Sequence, residues 1–324
     1  MTRFLSKNAW VLGLVVFFFL LLIFTKMIQP DFGLSGLDSL SRASLPFAFA
    51  TAAMAVVVIA GGIDLSVASM MAVASVTAAV LMDGATGTQS FFVVIFVLGL
   101  GLAMGALNGA LIVVTRVPDI VVTLSMLFVW EGVALLILNS PGGAAAEWLK
   151  ALIVGGFTLP LIPDALTQWI PKSLVVLVLC VAAVWIPIRK SRLGLSIYAI
   201  GSDPLAAFRS GVPVGQTRIT AYAICGLFSA MGGLTLTMST GIGAPIPGPY
   251  LMASVAAVVL GGVVLGGGKG GILGPIVAVI ILRLVRMDLT LLSVDPNVTT
   301  IVEGTIMVIV VMFGGLLAVR GNRQ

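Results

Sequence analysis

Residues Leu260–Gly271 read LGGVVLGGGKGG. A glycine loop ending in lysine raises the question of a phosphate cradle, whose pattern is G-x-x-x-x-G-K-[ST]. Gly268 and Lys269 fit two of its positions. Val263 stands where the first glycine belongs, and Gly270 stands where a Mg²⁺-holding Ser or Thr belongs. The stretch must therefore be read by what flanks it. LMASVAAVV (251–259) lies before it and ILGPIVAVIIL (272–282) after it. Both are apolar runs of membrane character, so the glycines mark a turn between two spans. Lys269 is then a charge at the membrane surface.

Composition agrees. Of 324 residues, 60% are hydrophobic and 9% are charged, against roughly 25% charged in a soluble domain. The mean hydropathy is +1.21. Soluble enzyme classes fall away, and an all-α polytopic membrane protein is expected. The chain has no His, which removes Ser-His-Asp chemistry, His metal sites and His proton relays. Cys180 and Cys225 both lie in apolar runs; neither a disulfide framework nor a metal site is indicated. No clustered basic face with aromatics is visible, so nucleic acid is not an expected partner.

A bilayer core needs about 20 apolar residues per helix. That window gives ten candidates: 9–25, 44–61, 66–82, 90–115, 120–138, 172–187, 218–240, 250–267, 272–292 and 298–318. They form one transmembrane domain over 1–324. The third and ninth are glycine-broken at their starts, so eight or nine full crossings remain an alternative. The first follows Arg3 and Lys7 like a signal-peptide core. No small-x-small cleavage site follows it, and it reads as a retained helix. With the N-terminus in the cytoplasm, Arg3, Lys7, Arg116, Arg189, Lys190, Arg192, Arg209, Arg218, Lys269, Arg320 and Arg323 fall inside. They are the majority of the Lys and Arg, as the positive-inside rule requires. Both termini are therefore expected inside. An outer loop at 139–171 contains WLKALIVGGFTLPLIP (148–163), read equally as an interfacial or re-entrant helix or as a packed loop.

Glycines recur every fourth residue at 101, 105 and 109, and again at 262, 266, 270 and 274. Small residues at that period allow close helix approach. VIAGGIDLS (58–66) and VVLGGVVLG (258–266) also echo each other at an offset of two hundred. Such a repeat is typical of transporters, where substrate is handled near glycine-interrupted helices.

Ionisable groups inside a membrane are functional candidates by default. Glu131 lies mid-span in the fifth candidate and Arg283 in the ninth, with Arg286 one turn on. Glu303 lies in the tenth. One reading pairs Arg283 with Glu303 or Glu131 to fix packing; the other puts these charges on a translocation pathway. Asn108, Thr123, Ser125 and Asn139 add polar points. Asp64 and Ser66 sit in the glycine-broken turn between the second and third spans. The candidate pathway set is Asp64, Ser66, Asn108, Thr123, Ser125, Glu131 and Arg283.

The largest inside loop, about 189–217, contains RKSRLGLSIYAIGSDPLAAFRSGVPVGQ. Asp203-Pro204 is a helix start, with Asp as cap and Pro in the first turn. Gly211 and Pro213 end the short helix. An amphipathic helix held there faces another protein or is an ordinary surface helix; the shortness of the other inside loops favours the first.

GGIDLSVAS (61–69), NGALIVVTRVPDIVVTLSM (108–126), RLGLSIYAIGSDPLAAFRSGV (192–212) and AAVVLGGVVLGGGKGGILG (256–274), in that order, resemble the permeases of bacterial ribose/xylose/arabinose-type ABC importers. The resemblance covers the chain from about residue 40. It implies a pair of permeases, a separate cytoplasmic ATPase subunit that binds the ATP, and a periplasmic sugar-binding protein. The second permease is a copy of this chain or a related one. No cofactor of the chain's own is implied. The family's ATPase-coupling loop carries over to Gly201, Asp203, Pro204, Ala206, Ala207, Ser210 and Gly211. The family's Tyr-Glu-Leu-Asp-like run is here YLMAS from Tyr250, with Leu251 and Ala253 in place of the acids, which leaves the solute open. The leading expectation is import of a monosaccharide or similar polyol across the inner membrane. Alternatives are a nucleoside, autoinducer or other small polar solute on the same machinery, a proton-coupled secondary transporter relaying through Glu131 and Arg283, or a passive channel.

Overall fold

The computed structural model describes residues 9–157 and 167–321. Thirteen helices are present among the described residues: α1 (Ala9–Ile28), α2 (Leu34–Ile59), α3 (Val67–Met82), α4 (Gly87–Thr115), α5 (Asp119–Ile137), α6 (Glu147–Ala151), α7 (Lys172–Lys190), α8 (Arg192–Ser202), α9 (Pro204–Arg209), α10 (Val214–Thr240), α11 (Tyr250–Leu260), α12 (Leu273–Leu291) and α13 (Pro296–Gly321). The only β-type pairings among these residues are isolated bridges between Gly142 and Gly243 and between Gly156 and Pro171. The all-helical class is as expected.

Each of the ten candidate spans coincides with a helix, but not all are full crossings. Six helices, α1, α2, α4, α5, α7 and α10, are long and apolar enough to span. The apolar α3 has 16 residues and α11 only 11. At about 1.5 Å per residue, α11 reaches about 16 Å, half of a 30 Å hydrocarbon core. The span expected over 250–267 therefore ends at Leu260. The row 262, 266, 270, 274 is not a helix stripe, because 261–272 is a non-helical turn. Its close contact is between Gly261 and Gly274: a Cβ on Gly274 would lie 3.0 Å from the Gly261 carbonyl carbon.

The two echoing stretches end their helices alike, with a shift of one residue. Helix α2 ends with Gly61 N donating to Val58 O and Gly62 N to Val57 O. Helix α11 ends with Gly262 N donating to Val259 O and Val263 N to Val258 O. The residues in left-handed geometry are Gly61 and Gly262, both at φ 84°. Each helix thus stops in the same left-handed glycine cap, and the structural offset is 201. Sequence identity aligned the glycine pairs; the hydrogen bonds align Gly61 with the second glycine, Gly262.

The core is built on α2, whose residues from Ser44 to Ile59 are all buried. A helix apolar all round must be surrounded, and α3, α10, α11 and α12 surround it. The expected close packing of α4 is present. Gly101 and Gly105 meet Gly226 of α10, and Gly109 meets Ile219. A Cβ on Gly105 would sit 2.9 Å from Gly226 N. Helices α1, α4 and α7 turn apolar side chains outward, including Phe19, Phe92 and Leu179, as lipid-facing helices do, and α5 exposes Phe128.

Of the outer loop, α6 buries Leu149 through its single turn. Residues 152–157 of the stretch read as interfacial or re-entrant are non-helical turn, and its residues 158–163 lie outside the described residues. Arg3, Lys7 and Arg323 of the orientation argument also lie outside them.

Candidate functional site

The broken turn between α2 and α3 carries a buried polar chain. Asp64 is fully buried. Its Oδ1 accepts from Ser66 N at 2.9 Å and from Ser66 Oγ at 2.6 Å. A carboxylate just before α3 also meets the positive end of that helix. Ser66 Oγ accepts from Asn108 Nδ2 at 2.7 Å, and Asn108 Oδ1 accepts from Trp130 Nε1 at 3.2 Å. Cys225 Sγ donates to Asp64 Oδ2 at 3.7 Å. Helices α3, α4, α5 and α10 are thereby tied to one turn. Cys225, read as a small core residue, is also a polar partner.

A second chain lies beside the first. Thr123 Oγ1 donates to Asp119 O at 2.8 Å and approaches Ile63 O at 3.3 Å. Tyr222 OH donates to Asp119 Oδ2 at 2.9 Å, and Arg218 lies 3.6 Å from Asp119 Oδ1. Gly62 is small for a reason: a Cβ there would stand 2.7 Å from Tyr222 OH. Of the sequence candidates, Asp64, Ser66, Asn108 and Thr123 come together here. Asp119, Tyr222, Arg218 and Trp130 belong with them and were not singled out. Asp119 and Tyr222 stand 103 residues apart, so no local spacing announces their contact. The carboxylate following Arg116 at the α4–α5 turn was the available signal.

Ser125, Glu131 and Arg283 lie elsewhere. Ser125 is exposed on α5, its hydroxyl donating to Val121 O at 3.0 Å. Glu131 is half-buried and pairs with no basic side chain among the described residues. Among the described residues Arg283 forms no ion pair with Glu303 or Glu131, which corrects the packing expectation. It stacks on Phe47, with its guanidinium carbon 4.4 Å from the ring centroid, and Tyr250 leans on the same ring at 4.5 Å. A ring face attracts a cation without carrying a charge. Glu303 pairs instead with Arg286 at 2.8 Å.

The short helix α9 has the expected cap. Asp203 Oδ1 accepts from Leu205 N at 2.9 Å and from Ala206 N at 3.0 Å, with Pro204 at the first position. Ser210 follows the last turn and Gly211, at φ 82°, ends it. Ala207 faces inward at 5% exposure, while Leu205 and Phe208 stand 58% and 68% exposed. Leu205 and Phe208 are thus held outward as an apolar pair on a six-residue helix.

The stem of that helix is packed backbone against backbone. Gly268 N donates to Ile59 O at 2.9 Å. A Cβ on Gly201 would fall 2.5 Å from Gly268 N, and one on Gly267 would fall 2.8 Å from Gly61 Cα. The ends of α2 and α8 and the LGGVVLGGGKGG turn thus meet through glycines. Tyr198 OH of α8 donates to Gly270 O of the same turn at 2.9 Å. Burial pushes the Tyr198 phenol up, against a smaller opposite pull from Arg189, so the donor keeps its proton at neutral pH. Trp10 Nε1 donates to Leu260 O at 2.7 Å, fastening α1 to the end of α11.

Two broken helices, a capped outward helix and a buried polar lock between them define a membrane transport subunit. The chain belongs to the family described as branched-chain amino acid transport system / permease component, whose family model matches residues 36–311. It is a permease of the ABC-importer type, a multi-pass protein of the inner membrane. It is similar to the Autoinducer 2 import system permease protein LsrD of Escherichia coli strain K12 and O9:H4 strain HS, and of Shigella flexneri. Each is 29% identical over 267 residues, covering 80% of this chain and 77% of the relative. No solved structure matches the chain.

Proposed function

We propose that this permease translocates a monosaccharide or similar polyol delivered by a periplasmic binding protein, and that a separate cytoplasmic ATPase subunit powers it. Ten helical segments with both termini inside form the working topology, in a pair with a second permease. The observation that carries the reading is α9: a capped helix with Leu205 and Phe208 outward, whose glycine stem touches both broken turns. An ATPase that grips α9 moves Gly201, and Gly201 has only backbone to push on. Pro213 then leads directly into α10, which holds Asp119 through Arg218 and Tyr222, and Asp119 begins α5.

On this reading Asp64, Ser66, Asn108 and Thr123 hold the turn, because they are fully buried and tie neighbouring helices together. Ser125 and Glu131 are the pathway contacts. Ser125 lies on the exposed stripe of α5 with Val121, Phe128, Gly132 and Leu136, which has no partner among the described residues, and Glu131 lies half-buried beside that stripe. Uncharged hydroxyl-rich solutes need such hydrogen-bonding points rather than a fixed charge. Arg283 sits with Phe47 and Tyr250 toward α11, where a solute's hydroxyls can meet a cation held on an aromatic face.

The test reconstitutes the chain with and without the ATPase encoded beside it. The chain alone gives no ATP hydrolysis, and the pair does. Ala206→Asp on the exposed side of α9 abolishes uptake while membrane insertion stays normal; wild-type uptake by that variant overturns the coupling assignment. Ala207 is the poorer probe because its side chain is buried. A second reading, import of an autoinducer-type polar solute, is favoured by the function that the LsrD relatives are named for. A ligand screen of the neighbouring binding protein separates the two.

A further inference from the structure

Arg283 is half-buried on α12, which ends at Leu291, so the side chain sits about 12 Å from the outer end of that helix. Its Nε is buried and has no hydrogen-bond partner among the described residues. It forms no ion pair among them either. A cation in apolar surroundings is costly without a counter-charge. Helix α12 packs against α1, α2, α11 and α13. The carboxylates on these helices are Asp38, Asp288 and Glu303. Asp38 lies 3.0 Å from Arg42, and Glu303 lies 2.8 Å from Arg286. Asp288 turns to α1, where its Oδ1 accepts from Thr25 Oγ1 at 2.8 Å. Leu251 and Ala253, beside Tyr250, add no acid. No carboxylate among the described residues is therefore placed to meet Arg283.

The aromatic contact holds the guanidinium without using its donors. Phe47 covers one side of it at 4.4 Å, and Tyr250 leans on the same ring. Phe47 and Tyr250 are only 7% and 8% exposed, so the platform is fixed by the core. A guanidinium carries its N–H donors in its own plane, and a ring below leaves that edge open to an acceptor. Tyr250 is the first residue of α11, directly after the proline-rich connection at 244–249. In the working topology that is the outer end of the helix, the side from which a binding protein delivers solute.

We propose that Arg283, held on Phe47 and Tyr250, recognises a carboxylate on the solute, so that the polyol taken by this permease is a sugar acid and not a neutral sugar. A carboxylate meets the guanidinium fork with two parallel hydrogen bonds, and it brings the counter-charge that the neighbouring helices do not. A neutral sugar offers acceptors without the charge. The inference rests on the importer reading and on the outer placement of Arg283 given with it.

The test measures thermal stabilisation of the full chain, purified in detergent, at matched ionic strength. The probes are ribonate, galactonate and gluconate, each against its parent sugar. At least one acid stabilises the wild-type chain at a concentration about tenfold lower than its sugar, the weight of hydrogen bonding to a charged group. Arg283→Gln abolishes that difference. Arg283→Lys keeps the charge, loses the fork and retains part of it, which decides the matter if the Gln variant does not fold. Equal action of every acid and its sugar overturns the proposal, and so does an undiminished difference in both variants. Acetate acting as well as the sugar acids overturns the assignment of the solute. The importer reading is judged separately, in proteoliposomes with the ATPase subunit and the binding protein. ATP-driven uptake of a neutral sugar that no sugar acid inhibits leaves that reading standing and overturns this one. Acid preference on the chain without ATP-driven uptake of any probe supports the Arg283 site and counts against the importer.

Discussion

Gly105→Ala and Gly99→Ala make the same chemical change on the same helix, and the structure gives them opposite outcomes. At Gly105 the new methyl meets the Tyr222 carbonyl oxygen and lies 2.9 Å from Gly226 N, about 0.5 Å inside the 3.4 Å where ordinary contact begins. Both neighbours are backbone of α10, so no side chain can rotate away. The α4–α10 contact has to open, and dispersion along the whole seam weakens with distance. Overpacking of this kind costs about 1–3 kcal/mol. At Gly99 nothing lies within 4 Å of the added carbon, and the residue is exposed. Alanine there gains helix propensity, up to about 1 kcal/mol. The assay is reversible unfolding of the purified chain in mixed micelles under increasing denaturing detergent, read by tryptophan fluorescence. The expected order of stability is Gly99→Ala at or above wild type, and Gly105→Ala below it. Equal stabilities for the two variants would refute the backbone seam.

Removing the Asp203 carboxylate by Asp203→Ala costs α9 about 1 kcal/mol of capping; coupled ATP hydrolysis falls, Asp203→Asn restores most of it, and equal loss in both variants counts against capping as the cause. Glu303→Gln leaves Arg286 without its 2.8 Å partner and destabilises the chain by about 1–3 kcal/mol; pairing it with Arg286→Gln recovers part of the loss, and strict additivity in the double-mutant cycle refutes the pairing. Tyr198→Phe removes the bond to Gly270 O; amide exchange in 260–271 rises while α4 is unaffected, and unchanged exchange in the turn argues against the tether.

Several features were legible because their cause is local. The Asp203-Pro204 start, the glycine stop at 211 and the α4 glycine row each follow from one or two residues and a known geometry. The glycine pairs at 61–62 and 261–262 showed that two helices break at matching points. The register of the match was hidden, because the left-handed residue is Gly61 in one cap and Gly262 in the other, and letters alone do not report φ. The polar lock was half legible. Asp64, Ser66, Asn108 and Thr123 stood out as polar groups in apolar runs. Asp119, Tyr222 and Arg218 did not, since the first lies at a helix start and the others reach it from α10, which packs along α4. Arg283 shows a different gap. A buried cation invites a search for a carboxylate, but its partner is the face of Phe47, and no charge pattern points to an aromatic ring.

Four residues separate the end of α9 from helix α10, which runs unbroken for 27 residues, about 40 Å. At its far end Thr237 holds Ser75 at 2.8 Å. It is a single stiff rod from the end of α9 to the middle of α3. Displacement at one end therefore arrives at the other as rigid-body motion, without a relay of side chains changing partners. Substitutions along its middle should alter how tightly the rod is seated and leave the transmission itself intact, whereas a kink introduced by a mid-helix proline should disconnect the two faces of the membrane.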